Sequence, residues 1–294
     1  MWRSTIEPLA CAIAGLQWPK HWEEWEQAVE KHSRILAVVS RDHGKSVFFS
    51  NLLPLFRCGS RKDYQVCILS YSENQVMRLI SGISKLVEEK NLLKPLKPKD
   101  PRANWSKTQL EFSNGSTIDS LTFGSSGRGG HYDLVIIDDP VKDLAGLNPD
   151  DQERYLKNAV TPMVKPDGQM IMAGTYVYED DLIERTEANP AYHKIIMPAI
   201  TDGKALWPER WSLERLEIRR QELGSKAAYR KQMAQLRLEG KSEGELKALD
   251  ATLTKQKAAG LPLTDEEEEL HWNVRLKLAS LGGVQEPKKK AAEA

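Results

Sequence analysis

The chain has 294 residues, 40% hydrophobic and 29% charged, which is enough for one large α/β domain plus an appendage. Its 42 basic and 42 acidic side chains cancel, so any nucleic-acid contact has to come from a local patch rather than a global field. No apolar stretch approaches the ~20 residues of a membrane span, residues 1–15 lack the pattern of a secretory signal, and three cysteines without metal-ligand spacing read as reduced thiols of a cytoplasmic protein.

The first strong element is an apolar, β-branched strand over residues 35–40, followed by Arg41-Asp42-His43-Gly44-Lys45-Ser46 and a helix over 45–56 with Val47, Phe48, Leu52 and Leu55 on its apolar side. A second strand covers 65–70. A helix over 73–89 repeats Val76, Leu79, Ile80, Ile83 and Val87 at helical spacing. Lys90, Lys94, Lys97, Lys99 and Arg102 then cluster in a proline-interrupted loop, a candidate track for a DNA backbone. Segments 109–112 and 116–123 flank Asn114-Gly115, the signal of a two-residue hairpin. A buried strand over 134–137, a polar helix from about 150 to 160, a strand over 169–173 and an apolar run over 192–197 complete the alternation. Strands interleaved with helices predict an α/β fold, a mostly parallel sheet sandwiched by helices.

From Ser212 the character changes. A charged helix opens there with Ser212 as its N-cap, another follows over 226–238, and a third over 243–259 stops at Gly260 with Pro262 beyond. Thr264 caps a last helix with acids 265–268 in its first turn and a stripe of Leu270, Val274, Leu278 and Leu281; Lys288-Lys289-Lys290 belong to a disordered tail. The expected divisions are a P-loop ATPase core over 1–211, a helical lid or linker over 212–240, and a helical appendage over 241–294.

Two motifs carry chemistry. A strand, a short polar loop and Gly44-Lys45-Ser46 at a helix start have the layout of a phosphate-binding loop: backbone N–H groups and a helix N-terminus face an anion, Lys45 neutralises the β/γ-phosphates, and the Ser46 hydroxyl ligates Mg²⁺. The G-x-x-x-x-G-K-[ST] pattern wants Gly at position 39, where this chain has Val39. About ninety residues on, the strand Leu134-Val135-Ile136-Ile137 ends in Asp138-Asp139, at the sheet edge where parallel α/β folds bind ligands. Asp138 is the candidate Mg²⁺ carboxylate, and Asp139 the carboxylate that orients the attacking water, with Asp143 as a possible substitute. Together the motifs predict that the chain binds and hydrolyses ATP with Mg²⁺. Gly44 admits close backbone approach to the phosphates, with Arg41, Asp42 and His43 completing the loop, and Arg41 is placed to stabilise transition-state charge. Thr175, at the end of a later strand, is a candidate γ-phosphate sensor; Gln17, before the first strand, is a candidate adenine contact; Arg128, among glycines, is a candidate phosphate or DNA contact. On the motifs alone, a helicase-like nucleic-acid remodelling ATPase and a truncated, non-catalytic remnant stay open beside a motor.

Further patterns narrow the choice. Ser40-Arg41-Asp42-His43-Gly44-Lys45-Ser46, the run from Gly124-Ser125-Ser126-Gly127-Arg128-Gly129 into His131 to Lys142, Ala173-Gly174-Thr175 with Asp180-Asp181-Leu182, and Leu206-Trp207-Pro208-Glu209-Arg210-Trp211-Ser212 with Leu223-Gly224-Ser225 together resemble the ATPase domain of the large terminase subunits of tailed bacteriophages. Trp18-Pro19-Lys20-His21 is a weaker likeness of the start of that domain, and the resemblance covers residues 17–236. It implies an ATP-driven motor that moves double-stranded DNA into a procapsid in the host cytoplasm, as a homo-oligomeric ring on a portal protein with a small terminase subunit. Many relatives carry Asp-Glu where this chain has Asp138-Asp139. The family's nuclease needs some two hundred residues of acid-bearing strands, and the helical residues after Leu238 are not expected to form one.

Overall fold

A computed structural model of the chain describes residues 6–11, 17–125, 130–141, 148–177, 180–223, 243–258, 274, 275 and 278. The chain divides into two compact units, Met1–Leu216 and Glu217–Ala294.

In the first unit a single helical turn, α1 (Glu7–Leu9), precedes α2 (Trp22–Lys31) and the strand β1 (Arg34–Val39). The helix after Gly44 opens through a wide π turn, Val47–Leu52, into α3 (Leu53–Ser60). There follow β2 (Gln65–Ser70), α4 (Glu73–Glu89), β3 (Gln109–Glu111), β4 (Thr117–Thr122), β5 (Tyr132–Asp138), α5 (Pro149–Tyr155), β6 (Val164–Gly174), α6 (Leu182–Glu187), β7 (His193–Met197), the short pair β8 (Ile200–Thr201) and β9 (Lys204–Ala205), and the start of α7 (Leu213–Leu223), within which the boundary at Leu216 falls. Seven strands form one sheet in the order β3-β4-β2-β5-β6-β1-β7, and only the β3–β4 pairing is antiparallel. The expected mostly parallel α/β sheet is therefore present.

Each central strand is buried on both faces, as a parallel sheet flanked by helices requires. Side chains alternate across the sheet. Ile35, Ala37, Val39, Ile68, Ile136 and Ile171 join the core built on Trp22, Trp25, Phe48 and Phe49. Leu36, Val38, Leu69, Ile137 and Met172 join a second core with Leu156, Val160 and Leu182. The α4 stripe Val76, Leu79, Ile80, Ile83 and Val87 is buried as its spacing predicts, and Ser72 caps the helix by accepting from the Gln75 N–H at 3.3 Å.

Several boundaries differ from the sequence expectation for physical reasons. The helix expected over 45–56 runs on to Ser60 and is wide at Val47–Leu52. The helix expected to end at 160 turns wide at Leu156–Val160 and then tightens over Thr161–Met163. Both wide turns contain the residue four before a proline, Ser50 before Pro54 and Asn158 before Pro162, and a proline ring has no N–H for that carbonyl and collides with it. Strand β6 starts at Val164 rather than 169: Tyr132 pairs with Val164 and Leu134 with Gln169, so Lys165–Gly168 bulge out of a continuous strand. The Asn114-Gly115 hairpin has three loop residues, not two. Phe112 N–H donates to Ser116 O at 2.8 Å, Gly115 N–H donates to Phe112 O at 3.0 Å, and Gly115 takes the left-handed conformation (φ +83°) of a turn with a bulge.

In the second unit, α8 (Glu243–Ala258) packs Leu246 against Val274 and Leu278, and Arg275 pairs with Asp250 at 3.2 Å. The helix expected over 226–238, Thr264, Leu270, Leu281, Asp143, Arg128 and the tail lie outside the described residues, as does the expected boundary at 240.

Candidate functional site: a polar cavity at the sheet edge

Strands β1, β6 and β5 lie side by side in that order, and register puts Val38 opposite Gly174 and Asp138 opposite Ala173. Their C-terminal ends are therefore level, and β1 and β5 are two strand spacings apart, about 10 Å. Gly44-Lys45-Ser46 spans that gap. Lys45 Nζ donates to Asp139 Oδ2 at 2.9 Å, and Ser46 Oγ donates to Asp138 Oδ1 at 3.0 Å. Thr175, just past β6, lines the same cavity between them. Gly174 keeps this edge open, since a Cβ there would stand 2.9 Å from Ile183 Cδ1 and 3.6 Å from Asp139 Oδ1.

Lys45 is buried, with only 7% of it accessible. Asp138 is fully buried. Burial, with the Asp139 charge beside it, pushes its carboxyl up to about 6, while Lys45 and Ser46 pull the other way. Its Oδ2 has no hydrogen-bond partner. The Ser50 hydroxyl, likewise without one, is near enough to favour the charged form slightly. A buried carboxylate oxygen without a donor beside a serine hydroxyl fits Mg²⁺, which takes one or two protein oxygens and completes its octahedron with water and phosphate.

The loop is held in an unusual backbone. Gly44 is left-handed (φ +84°), and a Cβ on it would stand 2.7 Å from Trp22 Cζ2. Asp42 (φ +64°) and Asp139 (φ +47°) are left-handed without being glycine, strain of the kind that clusters at functional sites. His43 is buried away from the cavity. Its Nδ1 bonds Arg41 O at 2.9 Å, its own carbonyl accepts from His21 Nε2 at 3.0 Å, and burial holds both imidazoles below their usual pKa. Arg41 and Asp42 line the cavity, and Asp42 O accepts from Trp211 Nε1 at 3.3 Å.

The cavity holds about 610 Å³ and brings Arg41, Asp42, Gly44, Lys45, Ser46, Asp139 and Thr175 together. Gln17 is exposed and is not among its lining residues; Trp18 next to it packs against Trp22 and Phe48, which leaves Gln17 at the surface. Trp22, Tyr71, Gln75, Val141, Val177, Trp207 and Arg210 also line the cavity, and the sequence offered none of them as a site residue, although Trp207, Arg210 and Val141 lie in segments that carry the family resemblance. Trp22 and Trp207 meet with ring centroids 6.4 Å apart across great sequence separation, which a linear pattern does not expose. In the basic loop, Lys97 pairs with Glu88 at 2.5 Å and Arg102 with Asp100 at 2.9 Å, so its positive charge is partly neutralised. Among the described residues no helix is long and apolar enough to cross a membrane.

No family model and no curated protein match the sequence. Among solved structures, the chain is similar to the large terminase ATPase domain of Thermus phage P74-26, with a TM-score of 0.56 at 15% identity over 78% of this chain and 97% of that one. It is also similar to the large terminase of bacteriophage HK97, with a TM-score of 0.50 at 14% identity over 72% of this chain, and spans 46% of that protein's length. The fold of this chain is thus the P-loop α/β fold of phage large terminase ATPase domains.

Proposed function

We propose that this chain is the ATP-hydrolysing motor subunit of a viral DNA-packaging terminase, driving double-stranded DNA into a procapsid in the host cytoplasm. The observation that carries the reading is the meeting of two distant motifs, Lys45 with Asp139 and Ser46 with Asp138, at one end of a parallel sheet. The terminase ATPase fold supports the choice of a packaging motor over other NTP-driven machines. In this reading the chain works as a homo-oligomeric ring docked on a portal protein, with a small terminase subunit delivering the DNA.

Ser46 Oγ and Asp138 would hold Mg²⁺, which would supply neutralisation of the charge on the nucleotide's phosphates. Lys45 Nζ leaves Asp139 for those phosphates, because a polyphosphate offers it more negative charge than one carboxylate. Asp139 is then free to accept a proton from water aimed in line at the γ-phosphorus. Arg41 stabilises charge developing on the transferred group, and Thr175 reports the γ-phosphate along β6.

The test is ATP turnover by the purified chain with and without double-stranded DNA, beside a strand-displacement assay. Turnover stimulated by duplex DNA without strand separation is expected. ATP-dependent strand separation would favour a helicase-like remodelling ATPase instead, and failure to bind nucleotide would favour a non-catalytic remnant.

A further inference from the structure

We infer that Arg210, backed by Trp207, is the surface on which the nucleobase of the bound nucleotide stacks; this rests on the nucleotide-site reading above. Lys45, Ser46, Asp139 and Thr175 make a polar end suited to phosphates and metal, whereas Trp207 and Arg210 present an indole and a guanidinium to the same cavity. The Arg210 Cζ lies 5.3 Å from the centroid of the Trp207 ring. The guanidinium carbon therefore sits over the indole ring. Arg210 itself is exposed and lines the cavity, so its guanidinium is accessible to a further planar group. Planar guanidinium groups accept stacked bases in this way, and every base has a π-face to offer.

The stack is preorganised. Trp207 is half-buried, with ring centroids 5.5 Å from His21 and 6.4 Å from Trp22. Residues 207–211 form a tight turn in which Arg210 N–H and Trp211 N–H both donate to Trp207 O, at 3.1 and 2.8 Å. Trp211 pins that turn to the phosphate loop through its bond to Asp42 O and its near-parallel ring against His43, 22° apart at 6.4 Å. The loop that takes phosphates and the turn that takes the base are thus one connected piece. Arg210 is the contacting residue and Trp207 a positioning residue.

The experiment measures equilibrium binding of Mg²⁺-ADP and of Mg²⁺-pyrophosphate, which has the phosphates without the base. Arg210→Ala is expected to weaken ADP binding about tenfold and leave pyrophosphate unchanged. Arg210→Lys, which keeps the charge and loses the plane, should weaken ADP almost as much. Trp207→Ala should act like Arg210→Ala, and Trp207→Phe should recover most of the loss by restoring a ring behind the guanidinium. Equal weakening of both ligands, full recovery by Arg210→Lys, or unchanged ADP binding in Arg210→Ala would overturn the inference. If the unsubstituted protein binds neither ligand, the nucleotide site itself is wrong and the base wall falls with it; if it binds pyrophosphate as tightly as ADP, the site stands and the wall does not.

Discussion

Asp138 is the residue at which folding and ligand binding pull apart. A carboxyl raised from its ordinary 3.8 to about 6 is more readily protonated in the folded chain than in the unfolded one. Its contribution to stability is therefore fully present below about pH 3.8 and is lost as the pH rises through about 6. At 1.36 kcal/mol per unit, the cost of the buried charge at pH 8 is of order 3 kcal/mol. Asp138→Asn keeps an oxygen for Ser46 and removes the charge. Without ligands it should melt a few degrees higher than the unsubstituted protein at pH 8, show little difference near pH 4, and lose Mg²⁺-dependent tightening of nucleotide. Destabilisation of similar size at both pH values, read by thermal melts, would contradict the buried-charge account. The Asp138 and Lys45 motifs were legible in the sequence because strand ends and helix starts have local signatures. The burial of Lys45 and the strained backbone of Asp139 were not, because both depend on what packs across three strands.

At the scale of elements, the phosphate loop is shaped by one glycine and one indole. Gly44→Ala would put a Cβ 2.7 Å from the Trp22 ring and force an L-residue to φ +84°. The cost is about 1–3 kcal/mol of strain, and nucleotide affinity should fall with it because the loop must rotate to relieve the clash. Normal melting together with normal nucleotide binding in Gly44→Ala would show that the loop does not need this conformation. The α4 stripe, the buried strands and the cap at Ser72 were readable from periodicity and local chemistry. The wide turns before Pro54 and Pro162 were not, since an apolar helical stripe survives a π turn, although the prolines themselves mark the places. The hairpin at Asp202-Gly203, with both residues left-handed (φ +50° and +70°), carries a strong turn signature, but its two-residue strands are too short to show alternation. Trp207 and Arg210 lie in a segment that carried the family resemblance, but their meeting with Trp22, some 185 positions away, was not legible, because it depends on the folded chain.

At the scale of the whole molecule, the reading is of a motor that uses ATP and does not cut DNA. The acids at 265–269 are contiguous in sequence, an arrangement that suits a helix N-terminus and not the two-metal centre of a nuclease, whose carboxylates are spaced on a rigid sheet. Plasmid incubated with the purified chain and Mg²⁺ or Mn²⁺ should stay intact while ATP is consumed; metal-dependent cleavage abolished by substituting those acids would reverse that assignment. The central claim, that Lys45, Ser46, Asp138 and Asp139 form one Mg²⁺-nucleotide site, is tested most directly by steady-state ATP hydrolysis in the unsubstituted chain, Lys45→Ala and Asp139→Asn, with nucleotide binding measured on the same samples. The account expects Mg²⁺-dependent turnover in the unsubstituted chain, neither binding nor turnover in folded Lys45→Ala, and in Asp139→Asn retained Mg²⁺-nucleotide binding with turnover reduced at least a hundredfold. Undiminished turnover in folded Lys45→Ala would contradict it.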